Sequence, residues 1–283
     1  MSILPFLQTK YKLKTAQSYY KEWLLFERFV QSKKLVINAI QHQHLLDYVN
    51  ELKDKNLSPS SINRKLVVLE QVYEFLPLPK INPVKGLRLK KDLVKALPQP
   101  LNYQSLNHCL SDFPTKTLHQ KQLKLILSLI HFQALRSAEI QSLKLHHLKL
   151  KRGLLEIPSV LRSNTRELVL TGLQIIGFQD FILKIRPQLP NSKNVNSLFI
   201  SSSGSGKINN TLGKLKERLK KILPHLENLE HWRTSIIIHW LQHQSLLQVQ
   251  SKLGHRYTSS TERYIIHKIK DLEKDLLQHH PLK

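Results

Sequence analysis

The placement of proline constrains this chain most. Pro77, Pro79, Pro83, Pro98 and Pro100 fall in one short stretch between two long segments of helical periodicity. Proline fixes φ, lacks an N–H donor and pushes the preceding residue out of the helical region, so no regular helix runs through 77–100. The chain therefore divides into two folded parts. We expect an N-terminal helical domain over 1–85, a linker over 86–100 and a second domain over 101–283. The basic run Lys85-Gly-Leu-Arg88-Leu-Lys90-Lys91 makes the connection positively charged.

The first part reads as helices. Tyr19, Trp23, Phe26 and Val30 recur at helical spacing within 15–32. These aromatics are core residues rather than base-stacking platforms. Ser58-Pro59 is a helix start, because proline at the first helical position gives up no hydrogen bond. Ile62, Leu66, Leu69, Tyr73 and Leu76 then form one apolar stripe. Arg64 and Lys65 lie off it, on a basic face suited to a phosphate track. In the second part the pattern predicts helices over 103–112, 119–133 and 210–223. Two strands, Leu154 to Val160 and Arg166 to Leu170, flank a polar turn at 162–165. The expected fold is mainly α with a small antiparallel sheet.

Charge decides the class of partner. Lys plus Arg number 44 against 20 for Asp plus Glu, a net charge of +24. Such a potential attracts a polyanion, and the basic residues are spread through folded segments rather than gathered in a tail. We therefore expect nucleic acid as partner, the alternatives being an anionic membrane or a basic surface kept for solubility, with Arg64, Lys65, Lys85, Arg88, Lys90 and Lys91 among the residues that contact it. The longest apolar stretch, Leu123 to Leu135, is broken by Lys124, Ser128 and His131, which is too short and polar for a bilayer. The start, MSILPFLQTKYK, lacks the form of a secretory signal, and the single Cys109 suits a reducing compartment. A cytoplasmic, nucleoid-associated location is the expectation. Ser201-Ser-Ser-Gly-Ser-Gly-Lys207 resembles a phosphate loop only superficially: the first glycine is missing, and Ile208 stands where Ser or Thr would hold magnesium.

Four separated segments of the second part carry residues suited to phosphoryl chemistry. They are Gln133-Ala-Leu-Arg136-Ser-Ala-Glu139, the Arg162 turn, Glu230-His-Trp-Arg233, and VQSKLGH255 with Tyr264 nine residues later. Attack of a hydroxyl on a phosphodiester builds charge on the non-bridging oxygens. Two guanidinium forks, here Arg136 and Arg233, can grip them. His255 can donate to the same phosphate or handle a proton, and Tyr264 can supply the attacking oxygen.

In these segments the sequence resembles the tyrosine recombinases, most closely the bacterial Xer-type members. Their patterns run roughly G-L-R-x-x-E-[LI], H-x-L-R-H-x-x-A, and L-G-H with a tyrosine nine residues on, and VQSKLGH followed by TSSTERY matches the last in spacing. LSPSSINRKLVVLEQVYEFL with Asn82-Pro83 likewise resembles the family's helical core-binding (SAM-like) domain. The resemblance implies a two-domain clamp around double-stranded DNA. It also implies strand cutting through a 3′-phosphotyrosyl intermediate, exchange through a Holliday junction, and a homotetramer on paired sites, with or without accessory DNA-binding proteins. Neither cofactor nor metal is required. Integration, excision and resolution of a mobile element or replicon dimer all fit. Ile265, Ile269, Leu272 and Leu276 form an apolar stripe over 265–277; the resemblance implies a helix there that docks on a neighbouring protomer, and folding back on its own domain is the alternative.

Two positions depart from the pattern. Arg162 stands where the family has a lysine general acid, and arginine is a poor proton donor. Glu230 stands in the slot of the first histidine, three residues before Arg233, with His231 as the substitute if the backbone slips by one. Catalytic candidates are thus Arg136, Arg162, Glu230, Arg233, His255 and Tyr264. Decay of the two odd positions in a catalytically impaired DNA-binding homologue is the alternative reading.

Overall fold

The structure, a computed structural model, describes residues 3–76, 82–90, 97–160 and 163–265. It forms two compact units, Met1–Ala96 and Leu97–Lys283.

The first unit is built on helices α1 (Ile3–Lys10), α2 (Leu13–Ser32), α3 (His42–Asp54) and α4 (Pro59–Phe75). Trp23, Phe26, Tyr48 and Tyr73 bury their rings together, with the Trp23 ring centroid 5.8 Å from those of both Phe26 and Tyr73 and Phe26 in edge contact with Tyr48 and Tyr73. Such rings bring both large buried area and directional edge packing. Ser58 caps α4 by accepting from Ser61 N–H at 3.3 Å, with Pro59 in the first turn as the sequence predicts.

Of the stretch expected to be a linker, residues 86–90 are packed onto this unit. Buried Asn63 brackets Leu89, donating to its carbonyl and accepting from its N–H, each at 2.8 Å. Val84 is fully buried and Leu87 packs beside it. Two of the basic residues expected on DNA have carboxylate partners: Lys65 with Glu22 and Arg88 with Glu70. Arg64, Lys85 and Lys90 are exposed, and Lys91 lies outside the described residues.

The second unit comprises α5 (Tyr103–Ser111), α6 (Leu118–Gln133), α7 (Ser137–Ser142), α8 (Gly172–Asp180), α9 (Asn209–Ile222), α10 (Leu229–His243), α11 (Leu246–Leu253) and α12 (Ser259–Glu262). Its sheet has the order β1 (Leu148–Lys149), β2 (Leu154–Ile157), β3 (Arg166–Val169), all antiparallel. Strand β2 stops three residues earlier than the hydrophobic pattern suggests, at Ile157. Pro158 follows it and has no N–H for the ladder. β1 escapes sequence reading because two residues show no alternation.

The expected antiparallel pair is present, with Ile157 opposite Arg166. Helix α10 is buried on nearly every side, by Trp232, Ile236, Ile237 and Leu241 among others, which makes it a rigid mount. Among the described residues no helix is long and apolar enough to cross a membrane. Beyond Ile265, the helix expected over 265–277 lies outside the described residues.

Candidate active site

Arg136 enters the site because helix α6 ends in an unusual way. Ala134 caps it in the left-handed region, at φ 48° and ψ 40°, which turns the chain sharply into Leu135 and Arg136. Arg136 then opens α7, with Glu139 Oε2 accepting from its backbone N–H at 2.9 Å. The carbonyl exposed by the turn at Ala134 is used: Arg233 Nε donates to it at 2.6 Å. Arg233 projects from α10 and is 1% exposed. Its Nη1 donates to Glu230 Oε1 at 2.6 Å and to the Tyr264 hydroxyl at 3.4 Å.

His255 follows Gly254, which closes α11 in the left-handed region at φ 63°. The imidazole lies between two partners, with Nε2 2.8 Å from Arg136 Nη2 and Nδ1 2.9 Å from the Thr261 hydroxyl. A guanidinium has no lone pair to offer, so Nε2 accepts. Nδ1 therefore carries the proton and donates to Thr261. Burial, followed by the charges of Arg233, Arg136, Arg166 and Arg263, pushes the His255 pKa down to about 3. His255 is thus a neutral acceptor here rather than an imidazolium.

Tyr264 stacks on His255 with ring centroids 6.5 Å apart and planes 12° apart, and the Arg263 guanidinium carbon sits over the Tyr264 ring, 4.9 Å from its centroid. Tyr264 is 2% exposed. Burial, then the neighbouring Arg233, lowers the Arg136 pKa. For Arg233, burial opposes the charge, but Glu230, Tyr264 and Glu139 together more than offset it, so its pKa is raised.

Arg136, Glu230, Arg233, His255 and Tyr264, drawn from three separate segments, are therefore linked side chain to side chain through Arg136–His255, Arg233–Glu230 and Arg233–Tyr264, with the His255–Tyr264 ring stacking joining the two groups. Glu230, not His231, faces Arg233. His231 is turned away, its Nδ1 accepting from Glu227 N–H at 3.3 Å and its Nε2 2.8 Å from the Gln99 carbonyl. Arg162 lies outside the described residues; the chain resumes at Ser163, which bridges His255. Among the described residues, no three or more His, Cys, Asp or Glu side chains gather as a metal-ligating group.

Comparison with known proteins converges on one family. Residues 6–78 match the N-terminal SAM-like domain of phage integrases. The chain is 29% identical over 290 residues to the tyrosine recombinase XerD of Rickettsia bellii, covering 94% of this chain and 92% of that protein. It is 26% identical to the tyrosine recombinase XerC of Natranaerobius thermophilus, covering 93% and 92%. The fold superposes on a crystal structure of the XerH site-specific recombinase bound to difH, with TM-score 0.72, 18% identity, and 92% and 79% of the two chains covered. The chain is thus similar, over nearly its whole length, to tyrosine recombinases.

Three members of this candidate site were missed by sequence reading. Glu139, 1% exposed, appeared only as a motif letter. Thr261 is fully buried, and Arg166 was read only as the start of a strand. A carboxylate inside a +24 chain is a signal that could have marked Glu139, since a buried acid needs a cationic partner. Nothing in the spacing marks Thr261, whose role follows from which way the loop after His255 folds.

Proposed function

We propose that this chain is a site-specific DNA recombinase that cuts and rejoins duplex DNA through a phosphotyrosyl intermediate. The observation that carries the reading is the meeting of Tyr264 with Arg233 at 3.4 Å beside the Arg136–His255 pair at 2.8 Å. Tyr264 Oη attacks the scissile phosphorus and forms a 3′-phosphotyrosine bond. The bond from phosphorus to the 5′ oxygen breaks, the phenolic proton leaves, and the 5′ oxygen takes up a proton.

The guanidiniums of Arg136 and Arg233 hold the non-bridging oxygens as charge develops. Arg162 stands by the leaving oxygen as a fixed positive charge. One ester replaces another, so the bond energy is conserved and the reverse step rejoins the strand without ATP. Both units contact the duplex, the exposed Arg64, Lys85 and Lys90 among their contacts, and four protomers exchange strands on two sites through a Holliday junction.

Supercoiled plasmids bearing one or two copies of a site that the protein selects from a randomised duplex library test this reading. Recombination products from the two-site plasmid alone support it. Relaxation of the one-site plasmid without recombination points to a nicking-closing enzyme, and binding without any product to an idle homologue.

A further inference from the structure

Arg166 touches none of the reacting groups, yet it joins the segments that carry them. It opens β3, opposite Ile157. Its Nη1 donates to Glu139 Oε1 at 2.8 Å, and its Nε donates to the Lys252 carbonyl at 2.7 Å. The side chains of this ion pair are only 8% and 2% exposed. The other oxygen of Glu139 takes the backbone N–H of Arg136, so the pair reaches the first catalytic arginine directly. Lys252 lies three residues before His255. Beside it, Asn164 N–H donates to the Gly254 carbonyl at 2.9 Å, and Ser163 bridges His255.

We propose that Arg166 is a positioning residue for the recombinase reaction: one buried guanidinium fixes the segments of Arg136 and His255, and the stretch Ser163–Asn164, relative to one another. The proposal rests on the function given above. The fork geometry explains why arginine occupies the position. Nε and Nη1 point in different directions within one plane, one to a carboxylate and the other to a carbonyl on a different helix; a lysine ammonium cannot reproduce that span.

Gly254 is part of the same device. A Cβ there would stand 2.7 Å from Arg166 Nη1, 2.9 Å from its Cδ and 3.0 Å from the Asn164 carbonyl oxygen. The guanidinium thus packs directly on the backbone of the residue before His255, at a position whose φ of 63° already favours glycine. With Nε and Nη1 engaged and the side chain buried, Arg166 acts through the protein rather than on DNA. A shift of about 1 Å between catalytic groups can cost about a hundredfold in rate, which is the scale of effect expected from loosening this lock.

The test uses the full chain with Arg166→Lys and with the double change Arg166→Gln/Glu139→Gln, which leaves no lone carboxylate buried. The DNA probe is a duplex selected by the protein from a randomised library, nicked beside the cleavage point so that the covalent adduct is trapped. We expect the dissociation constant to stay within about twofold, while adduct formation at saturating DNA slows by about two orders of magnitude. In ¹⁵N spectra of the free protein, the His255 imidazole should lose its pure Nδ1–H tautomer.

Wild-type adduct rates with unchanged His255 signals overturn the proposal. So does weakened binding with an unchanged rate at saturation, which would make Arg166 a DNA contact. If the wild type itself forms no adduct, the functional reading fails while the His255 signals still decide on Arg166. Should both variants fail to fold, Gly254→Ala displaces the guanidinium without removing its charge and must give the same split between rate and affinity.

Discussion

Arg136 and His255 meet nitrogen to nitrogen at 2.8 Å, and this contact dictates where the imidazole proton resides. Because Arg136 can only donate, His255 carries its proton on Nδ1, held by Thr261 at 2.9 Å. Thr261→Val keeps the volume and removes that acceptor. We expect DNA affinity to be unchanged and single-turnover cleavage to fall by about tenfold, a scale set by the loss of one orienting hydrogen bond of ~1.4 kcal/mol. Rapid-quench cleavage at saturating DNA checks this. An unaltered rate would mean that His255 is held by its stacking on Tyr264 alone.

Acid sensitivity follows from the buried imidazoles. His131 is 1% exposed, neither of its ring nitrogens has a partner among the described residues, and burial, then His239, pushes its pKa down to about 4. The folded state thus binds this proton less readily than the unfolded chain does. The contribution to stability is whole above the unfolded value near 6.5 and is lost as pH falls through 6.5 towards 4. His255, held down to about 3, adds loss in the same direction. Between pH 6.5 and 5, His131 alone costs about 2 kcal/mol at the linkage rate of ~1.4 kcal/mol per pH unit. Denaturant titrations at several pH values measure it, and His131→Leu should flatten the dependence.

Ala134 offers a stability test inside the site. A non-glycine residue at φ 48° carries a local cost, partly offset because alanine restricts the unfolded chain more than glycine does. Ala134→Gly relieves that cost but also removes a fully buried methyl worth about 0.8 kcal/mol, so stability should stay within about 0.5 kcal/mol of the wild type. The freer turn also carries the carbonyl that anchors Arg233. Equilibrium unfolding in urea gives the first quantity.

Much of this was legible in the sequence, for identifiable reasons. The proline cluster divided the chain, Ser58-Pro59 announced a helix start that the Ser61 contact bears out, and the spacing from His255 to Tyr264 survived folding as a stacked pair. Glu230 could be placed against Arg233 because residues three apart share a helix face. What escaped depends on contacts between distant segments. Arg166 to Glu139 spans 27 residues and Arg166 to Lys252 spans 86, and no periodicity encodes either. The packing of residues 86–90 on the first unit was hidden for a related reason. A polar Asn63 on α4, not an apolar pattern, holds them.

The arginine at position 162 gives a prediction about the leaving group. If Arg162 supplies charge but no proton, ordinary DNA is cleaved slowly, and a substrate with sulfur in place of the bridging 5′ oxygen is cleaved fast, since sulfur leaves unprotonated. Arg162→Lys should then equal or exceed the wild type on ordinary DNA, while Arg162→Ala is poor there and nearly normal on the sulfur substrate. The ratio of the two rates in parallel quench experiments decides the matter. An equal sulfur effect in the wild type and the lysine variant would show that proton transfer is not limiting.

The assignment of Tyr264 as nucleophile stands at the centre of the account, and one measurement addresses it directly. The wild type and Tyr264→Phe are incubated with a nicked duplex carrying the selected site, denatured in detergent, and the DNA-linked peptide is sequenced by mass spectrometry. We predict a detergent-resistant adduct for the wild type with the nucleotide on the peptide containing Tyr264, and none for Tyr264→Phe despite DNA binding within about twofold, since the change removes one hydroxyl and no charge. An adduct that persists in Tyr264→Phe, or a nucleotide found on the exposed Tyr257 instead, would contradict it.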